Sequence, residues 1–121
     1  MPPPISIGTL ESVTVKEISV HELAALGSSA TVVDVREPHE WEAGHIGHAV
    51  LVPLGAVADN ADAFAGAPTY VVCRSGARSG RACEFLMLQG LDVVNVTGGM
   101  LAWADAGFEI ATGTASGADG G

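Results

Sequence analysis

The chain has 121 residues, the size of one domain, and 48% of them are hydrophobic, enough for a core without cross-links. Its formal net charge of −9 excludes a broad nucleic-acid surface and disfavours anionic membranes. Two cysteines, Cys73 and Cys83, are too few for a disulfide framework, so a reducing, cytoplasmic setting is expected.

The opening "MPPPISIGTL" has neither a basic leader nor a long apolar run, and residues 1–12 read as a loose lead-in. "SVTVKEI" alternates and predicts a short edge strand. In "SVHELAALG", Ser19 and Glu22 form a capping box and Gly27 supplies the stop, so a helix lies between. "TVVDV" (31–35) is a continuous β-branched run, the mark of a strand buried on both faces. Pro38 opens a short helix through "HEWEA", which Gly44 ends. "AVLVP" reads as the next strand. The longest apolar run, "AVLVPLGAVA", contains Pro53 and is too short to span a membrane. From Leu54, apolar residues recur at Val57, Ala61 and Phe64 with helical spacing. "TYVV" (69–72) and "VVNV" (93–96) are two more buried-strand runs. Between them "SGRACEFLMLQG" predicts a helix with Arg81 and Glu84 on its wet side and Gly90 past its end. "MLAWADAG" predicts a short final helix. Residues 111–121, "ATGTASGADGG", read as a disordered Gly-rich tail. Alternating strands and helices with short connections argue an α/β domain, a central parallel sheet with helices on both faces, over residues 13–110.

Ligands of open parallel sheets bind beyond the carboxyl ends of the strands. Cys73 stands at such an end, in "VVCRSGARSG", and immediately precedes a helix. Three of the five basic residues, Arg74, Arg78 and Arg81, lie beside it in a strongly acidic chain. The first amides of a helix lack internal partners, and the helix dipole is positive there. Gly76 permits a turn that aims successive amides inward. These effects favour thiolate, so Cys73 should titrate below the free value of ~8.5 and act as a nucleophile.

"VCRSGARS" resembles the active-site loop of the rhodanese family of sulfurtransferases. "VVDVREPHEWEAGHIGHAVLVPL" (32–54) is similar to that family's Asp-Val-Arg segment, and "VTGGMLAWADAGF" (97–108) resembles its Gly-Gly-x-x-x-Trp ending. One departure is Gly47-His48-Ala49, where the family often has Pro-Gly-Ala. The resemblance implies a three-layer fold around a mainly parallel five-stranded sheet. It also implies double-displacement chemistry: Cys73 takes a sulfane sulfur from thiosulfate or a similar donor, becomes a persulfide, and passes the sulfur to cyanide or a thiol. An acceptor protein is a further candidate partner, and no metal or organic cofactor is expected. The amides of Arg74, Ser75, Gly76, Ala77 and Arg78, with the helix start at Ser79, would stabilise the persulfide anion. Arg74 and Arg78 would orient the anionic donor and help sulfite leave.

Two rival functions share the fold. Dual-specificity phosphatases and related arsenate reductases carry Cys-x5-Arg, whereas here four residues separate Cys73 from Arg78 and Val72 precedes the cysteine. That loop is one residue short for a phosphate ester. The other rival is a non-catalytic binding module, against which the intact cysteine loop argues.

Asp34, Arg36 and Glu40 read as structural support: Arg36 pairing with Glu40 or Asp34 beside a buried strand. His39, His45 and His48 lack a zinc-like constellation, so His45 is expected to make a structural hydrogen bond. Cys83 falls on the apolar side of its helix and reads as a core thiol, with a resolving cysteine as the alternative. Trp41 and Trp103 read as core anchors, and the terminal Gly120-Gly121 as tail composition.

Overall fold

The β-branched runs pair side by side into one parallel sheet. The computed structural model describes residues 14–65 and 68–113. The expected lead-in, most of the expected tail and Gly120-Gly121 lie outside the described residues. Strands β1 (Lys16–Ile18), β2 (Thr31–Asp34), β3 (Val50–Leu51), β4 (Thr69–Val72) and β5 (Val93–Val96) lie in the order β1-β5-β4-β2-β3. Each neighbouring pair is parallel, with β4 central between β5 and β2. β1 is the edge strand that its alternation predicts.

Successive residues of a strand face opposite sides, and here both sides are apolar. Val33, Val71 and Val93 pack with Phe64, Ala82, Cys83 and Leu86, which come from helix α3 (Ala77–Leu88) and the segment before β4. Val32, Val72 and Val96 pack with residues of α1 (Val20–Leu26), α2 (Pro38–Ala43) and α4 (Gly99–Asp105), among them Leu23, Trp41, Met100 and Trp103. This is why "TVVDV" and "VVNV" show no alternation. Each such valine or leucine contributes about 1.5–3 kcal/mol by burial.

The helix ends follow the punctuation of the sequence. Ser19 Oγ accepts from the Glu22 amide and Glu22 Oε1 from the Ser19 amide, both at 3.0 Å, and Gly27 leaves α1 with φ of 70°. Pro38 occupies the first turn of α2 and Gly44 follows its end. A second reciprocal cap joins Glu37 and Glu40 there.

Three elements differ from expectation. The helical spacing from Leu54 gives two tight 3-10 segments, Leu54–Ala56 and Ala58–Phe64, rather than an α-helix. Asn60 breaks the second with φ −127° and ψ 34°, and its side-chain amide donates to the Ala56 carbonyl at 2.8 Å. Asn and Asp side chains compete with helical backbone bonds in this way. "AVLVP" yields a strand of two residues, Val50–Leu51, beyond which the Val52 and Leu54 amides still donate to the Asp34 and Val35 carbonyls at 2.9 Å. At the carboxyl end, Ala111 forms an antiparallel bridge with His45, and the Gly113 amide donates to the Glu42 carbonyl at 3.0 Å. The described residues past Ile110 thus make backbone hydrogen bonds to the end of α2 and the turn after it.

Candidate active site

β4 delivers Cys73 to the carboxyl edge of the sheet, and the chain turns at once into α3. The predicted helix begins at Ala77, two residues before the sequence signal, so Arg78 and Ser79 sit in its first turn. Gly76 makes the turn with φ of 107°, a left-handed conformation that favours glycine. A Cβ there would meet only ordinary contacts, so backbone conformation, not space, demands the glycine.

Cys73 is only 1% exposed and forms the floor of the loop. The Gly76 amide donates to Sγ at 3.1 Å, and Ser79 Oγ lies 3.3 Å from the same sulfur. Burial pushes the thiol pKa up. The Ser79 hydroxyl and amide, with the Gly76 and Ser75 amides, outweigh it, and the net direction is down. A depressed thiol is what a nucleophile needs.

The amides face the sulfur because α4 holds the loop carbonyls from behind. The Met100 amide donates to the Cys73 carbonyl at 2.8 Å, and the Leu101 amide to the Arg74 carbonyl at 3.0 Å. A trans peptide points its C=O and N–H in opposite directions. Anchoring the Arg74 carbonyl on α4 therefore turns the Ser75 N–H of the same peptide the other way, toward the sulfur. The approach requires the Gly98–Gly99 pair. Both have positive φ, 77° and 54°, and a Cβ on Gly99 would lie 2.4 Å from the Cys73 carbonyl oxygen. The Gly-Gly of the third sequence segment is thus a brace for the cysteine loop.

Charged groups frame the cradle. Arg78 Nη1 and Nη2 donate to the two carboxylate oxygens of Glu40, each at 2.8 Å. Glu40 therefore pairs with Arg78, and Arg36 takes the other partner expected for it. Arg36 Nε and Nη2 grip Asp34 at 2.8–3.0 Å, and Nη2 also donates to the Gly44 carbonyl at 2.7 Å. Asp34 and Arg36 are both buried. They clamp the end of β2 to the end of α2, and α2 presents Glu40 to Arg78. The fork holds the Glu40 carboxyl at about 2, chiefly through the Arg78 hydrogen bonds and against a smaller desolvation effect. The same pairing raises the Arg78 pKa. Arg74 is exposed and makes no ion pair among the described residues, while Ser75 and Ala77 are exposed at the rim.

One site residue escaped the sequence reading. Asn95 is 6% exposed in β5, its Oδ1 within hydrogen-bonding distance of Ser79 Oγ, and its Nδ2 donates to the Gly76 carbonyl at 3.1 Å. The signal was the single polar residue in "VVNV". The other candidates are core residues. Cys83 is buried in the core, where burial pushes its thiol up to about 12. His45 Nδ1 bonds the Trp41 carbonyl at 2.7 Å, and its ring stacks on Trp41 with centroids 3.6 Å apart. Trp41 and Trp103 are buried in the core. Among the described residues no group of three His, Cys, Asp or Glu side chains is placed to hold a metal ion.

The rhodanese-like domain family model matches residues 19–106. A thiosulfate sulfurtransferase of Pseudomonas entomophila, GlpE, is 41% identical over 93 residues, covering 73% of this chain and 84% of that protein. A sulfurtransferase of Allochromatium vinosum is 40% identical over 81 residues, covering 65% and 76%. Among solved structures, a rhodanese-like domain protein from Staphylococcus aureus superposes with a TM-score of 0.72 at 40% identity, covering 81% of this chain and 100% of that one. A rhodanese-related protein from Thermoplasma volcanium gives a TM-score of 0.75 at 31% identity, covering 79% and 97%.

Proposed function

The chain belongs to the rhodanese-like domain family, and from that premise we propose that it is a sulfurtransferase working through a persulfide on Cys73. The donor is thiosulfate or a similar sulfane compound, and the acceptor is cyanide or a thiol, small or carried on a protein. The observation that carries this reading is the buried Cys73 sulfur, which accepts the Gly76 N–H at 3.1 Å and lies against the Ser75 and Ser79 amides.

In the first step the Cys73 thiolate attacks the outer sulfur of thiosulfate. The new S–S bond forms as the old one breaks, its electron pair leaves with sulfite, and the persulfide keeps one negative charge on its terminal sulfur. That anion would lie among the Arg74, Ser75 and Gly76 amides, donors fixed before the charge arrives. In the second step cyanide or a thiolate attacks the terminal sulfur, giving thiocyanate or a new persulfide, and the Cys73 thiolate returns. Both displacements conserve charge and need no cofactor.

The arginines divide the work. Arg74, exposed and without an ion-pair partner among the described residues, is the free cation for an anionic donor. Arg78 spends two of its N–H groups on Glu40 and acts mainly as a strut between α2 and the loop. That pairing, with the short loop, weighs against phosphoryl chemistry, which needs the loop arginine free for a tetrahedral oxyanion. Burial of the sulfur points the same way: a protruding sulfane atom reaches the floor more readily than an ester phosphorus.

The test is turnover of thiosulfate and cyanide to thiocyanate. Wild type turns over, Cys73→Ser does not, and Arg74→Ala raises KM for thiosulfate more than it lowers kcat. Cys73-dependent hydrolysis of an aryl phosphate, without thiocyanate formation, would overturn the proposal.

A further inference from the structure

Asn95 is a buried polar residue on a strand otherwise made of valine, and it touches the cysteine loop twice. The Gly76 carbonyl can only accept, so the end of the carboxamide facing it is Nδ2. The end facing Ser79 is therefore Oδ1, a pure acceptor. Ser79, fully buried, stands between that oxygen and Cys73 Sγ, within hydrogen-bonding distance of both. A hydroxyl has one proton and can satisfy only one of the two.

We propose that Asn95 is a positioning residue that competes with Cys73 for the single Ser79 proton, and so sets the fraction of Cys73 present as thiolate. With Cys73 as a thiol, its S–H donates to Ser79 Oγ and Ser79 donates to Asn95 Oδ1; every group is satisfied. When the thiol releases its proton to solvent, the Ser79 O–H turns to the sulfur anion. Asn95 Oδ1 then loses its donor in a buried site, an unfavourable change. On the sulfur-transfer reading, on which this further consequence rests, the persulfide moves the charge to the outer sulfur. Sγ then makes no claim on Ser79, whose proton returns to Asn95. The pair thus favours thiol and persulfide over the free thiolate.

The other charged and titratable groups near Cys73 lie outside the Asn95–Ser79 pair. Arg74 adjoins it on the loop, and Arg78 on α3 lies within electrostatic range while paired to Glu40 of α2. Asp34 at the end of β2 is held by Arg36, and Cys83 on α3 stays protonated. These are unchanged by substitutions at Asn95 or Ser79, so their effects cancel in a double-mutant cycle.

The thiol pKa is read from the pH dependence of Cys73 alkylation by iodoacetamide in wild type, Asn95→Leu, Ser79→Ala and the double variant, with no sulfur donor present. Sulfur transfer plays no part in this readout, so it succeeds or fails independently of the proposed function. Asn95→Leu also removes the bond to the Gly76 carbonyl, but that loss is common to both backgrounds. The expected result is that Asn95→Leu lowers the pKa more when Ser79 is present than in Ser79→Ala, by about half a unit or more. Equal shifts, or a difference of opposite sign, overturn the proposal. If Asn95→Leu does not fold, the wild-type protein answers. The Asn95 side-chain amide resonance should titrate with the Cys73 pKa and lose that titration in Ser79→Ala; its persistence there overturns the proposal.

Discussion

Gly99→Ala tests the brace between α4 and the cysteine loop. The new Cβ would stand 2.4 Å from the Cys73 carbonyl oxygen and 2.6 Å from the Arg74 carbonyl carbon and oxygen. These are backbone atoms, so relief requires the loop and α4 to separate. The left-handed backbone at Gly99 costs an alanine about 1–2 kcal/mol. Separation breaks the Met100 and Leu101 amide bonds to the loop, at about 0.5–1.5 kcal/mol each. The sum is about 2–5 kcal/mol, and at about 5 °C per kcal/mol for a domain near this size the Tm falls by about 10–25 °C. The released carbonyls also let the Ser75 amide swing off the sulfur, so the Cys73 pKa rises and alkylation at neutral pH slows. Gly107→Ala is the control: its φ is 81°, but a Cβ there meets nothing within 4 Å, leaving only the backbone cost. Thermal melts and iodoacetamide kinetics on both variants give the comparison. Equal loss of stability in the two, with an unchanged Cys73 pKa, would refute the brace.

Further outcomes follow from the charges and the second thiol. Glu40 titrates at about 2 when folded against an ordinary 4.5, so its contribution is full above about pH 4.5 and lost as pH falls toward 2. Glu40→Gln should remove that part of the acid dependence in urea melts at pH 6 and pH 3, and an unchanged pH dependence would contradict the Arg78 pairing. Arg36→Ala leaves Asp34 buried without its partner, at about 3–5 kcal/mol, yet the folded fraction should keep its turnover; a variant that melts normally but turns over poorly would place Arg36 in the chemistry. Native protein at neutral pH should be alkylated at Cys73 alone, since the Cys83 thiol lies at about 12 in the core. Comparable labelling of Cys83 in peptide maps would contradict that assignment.

Local signals carried most of the fold into the sequence. Ser19 with Glu22, Pro38 with Gly44, and the unbroken β-branched runs each describe physics acting within a few residues, and the structure realises them there. The rhodanese-like resemblance rests on the Cys73–Arg78 loop and two flanking segments, and the family match covers the first two in full and the third as far as residue 106. What stayed hidden depends on tertiary meetings. Glu40 reaches Arg78 across 38 positions of sequence, and nothing local says which of two nearby arginines it will choose. Asn95 is one polar letter in a strand, and its role follows only from β5 lying beside β4 with its Nδ2 on the Gly76 carbonyl. Gly98 and Gly99 were visible as a motif, but their purpose is a contact with Cys73 and Arg74 that only the packed α4 creates. The 3-10 kink at Asn60 shows the converse, an apolar period overridden by a local side-chain bond.

The persulfide on Cys73 is open to a direct measurement: intact mass of the protein after incubation with thiosulfate. The expected spectrum gains the mass of one sulfur atom, returns to the starting mass with cyanide, and shows no gain in Cys73→Ser. A folded protein that gains no sulfur from thiosulfate, polysulfide or a mercaptopyruvate donor, or that gains it equally in Cys73→Ser, would contradict sulfur transfer through Cys73.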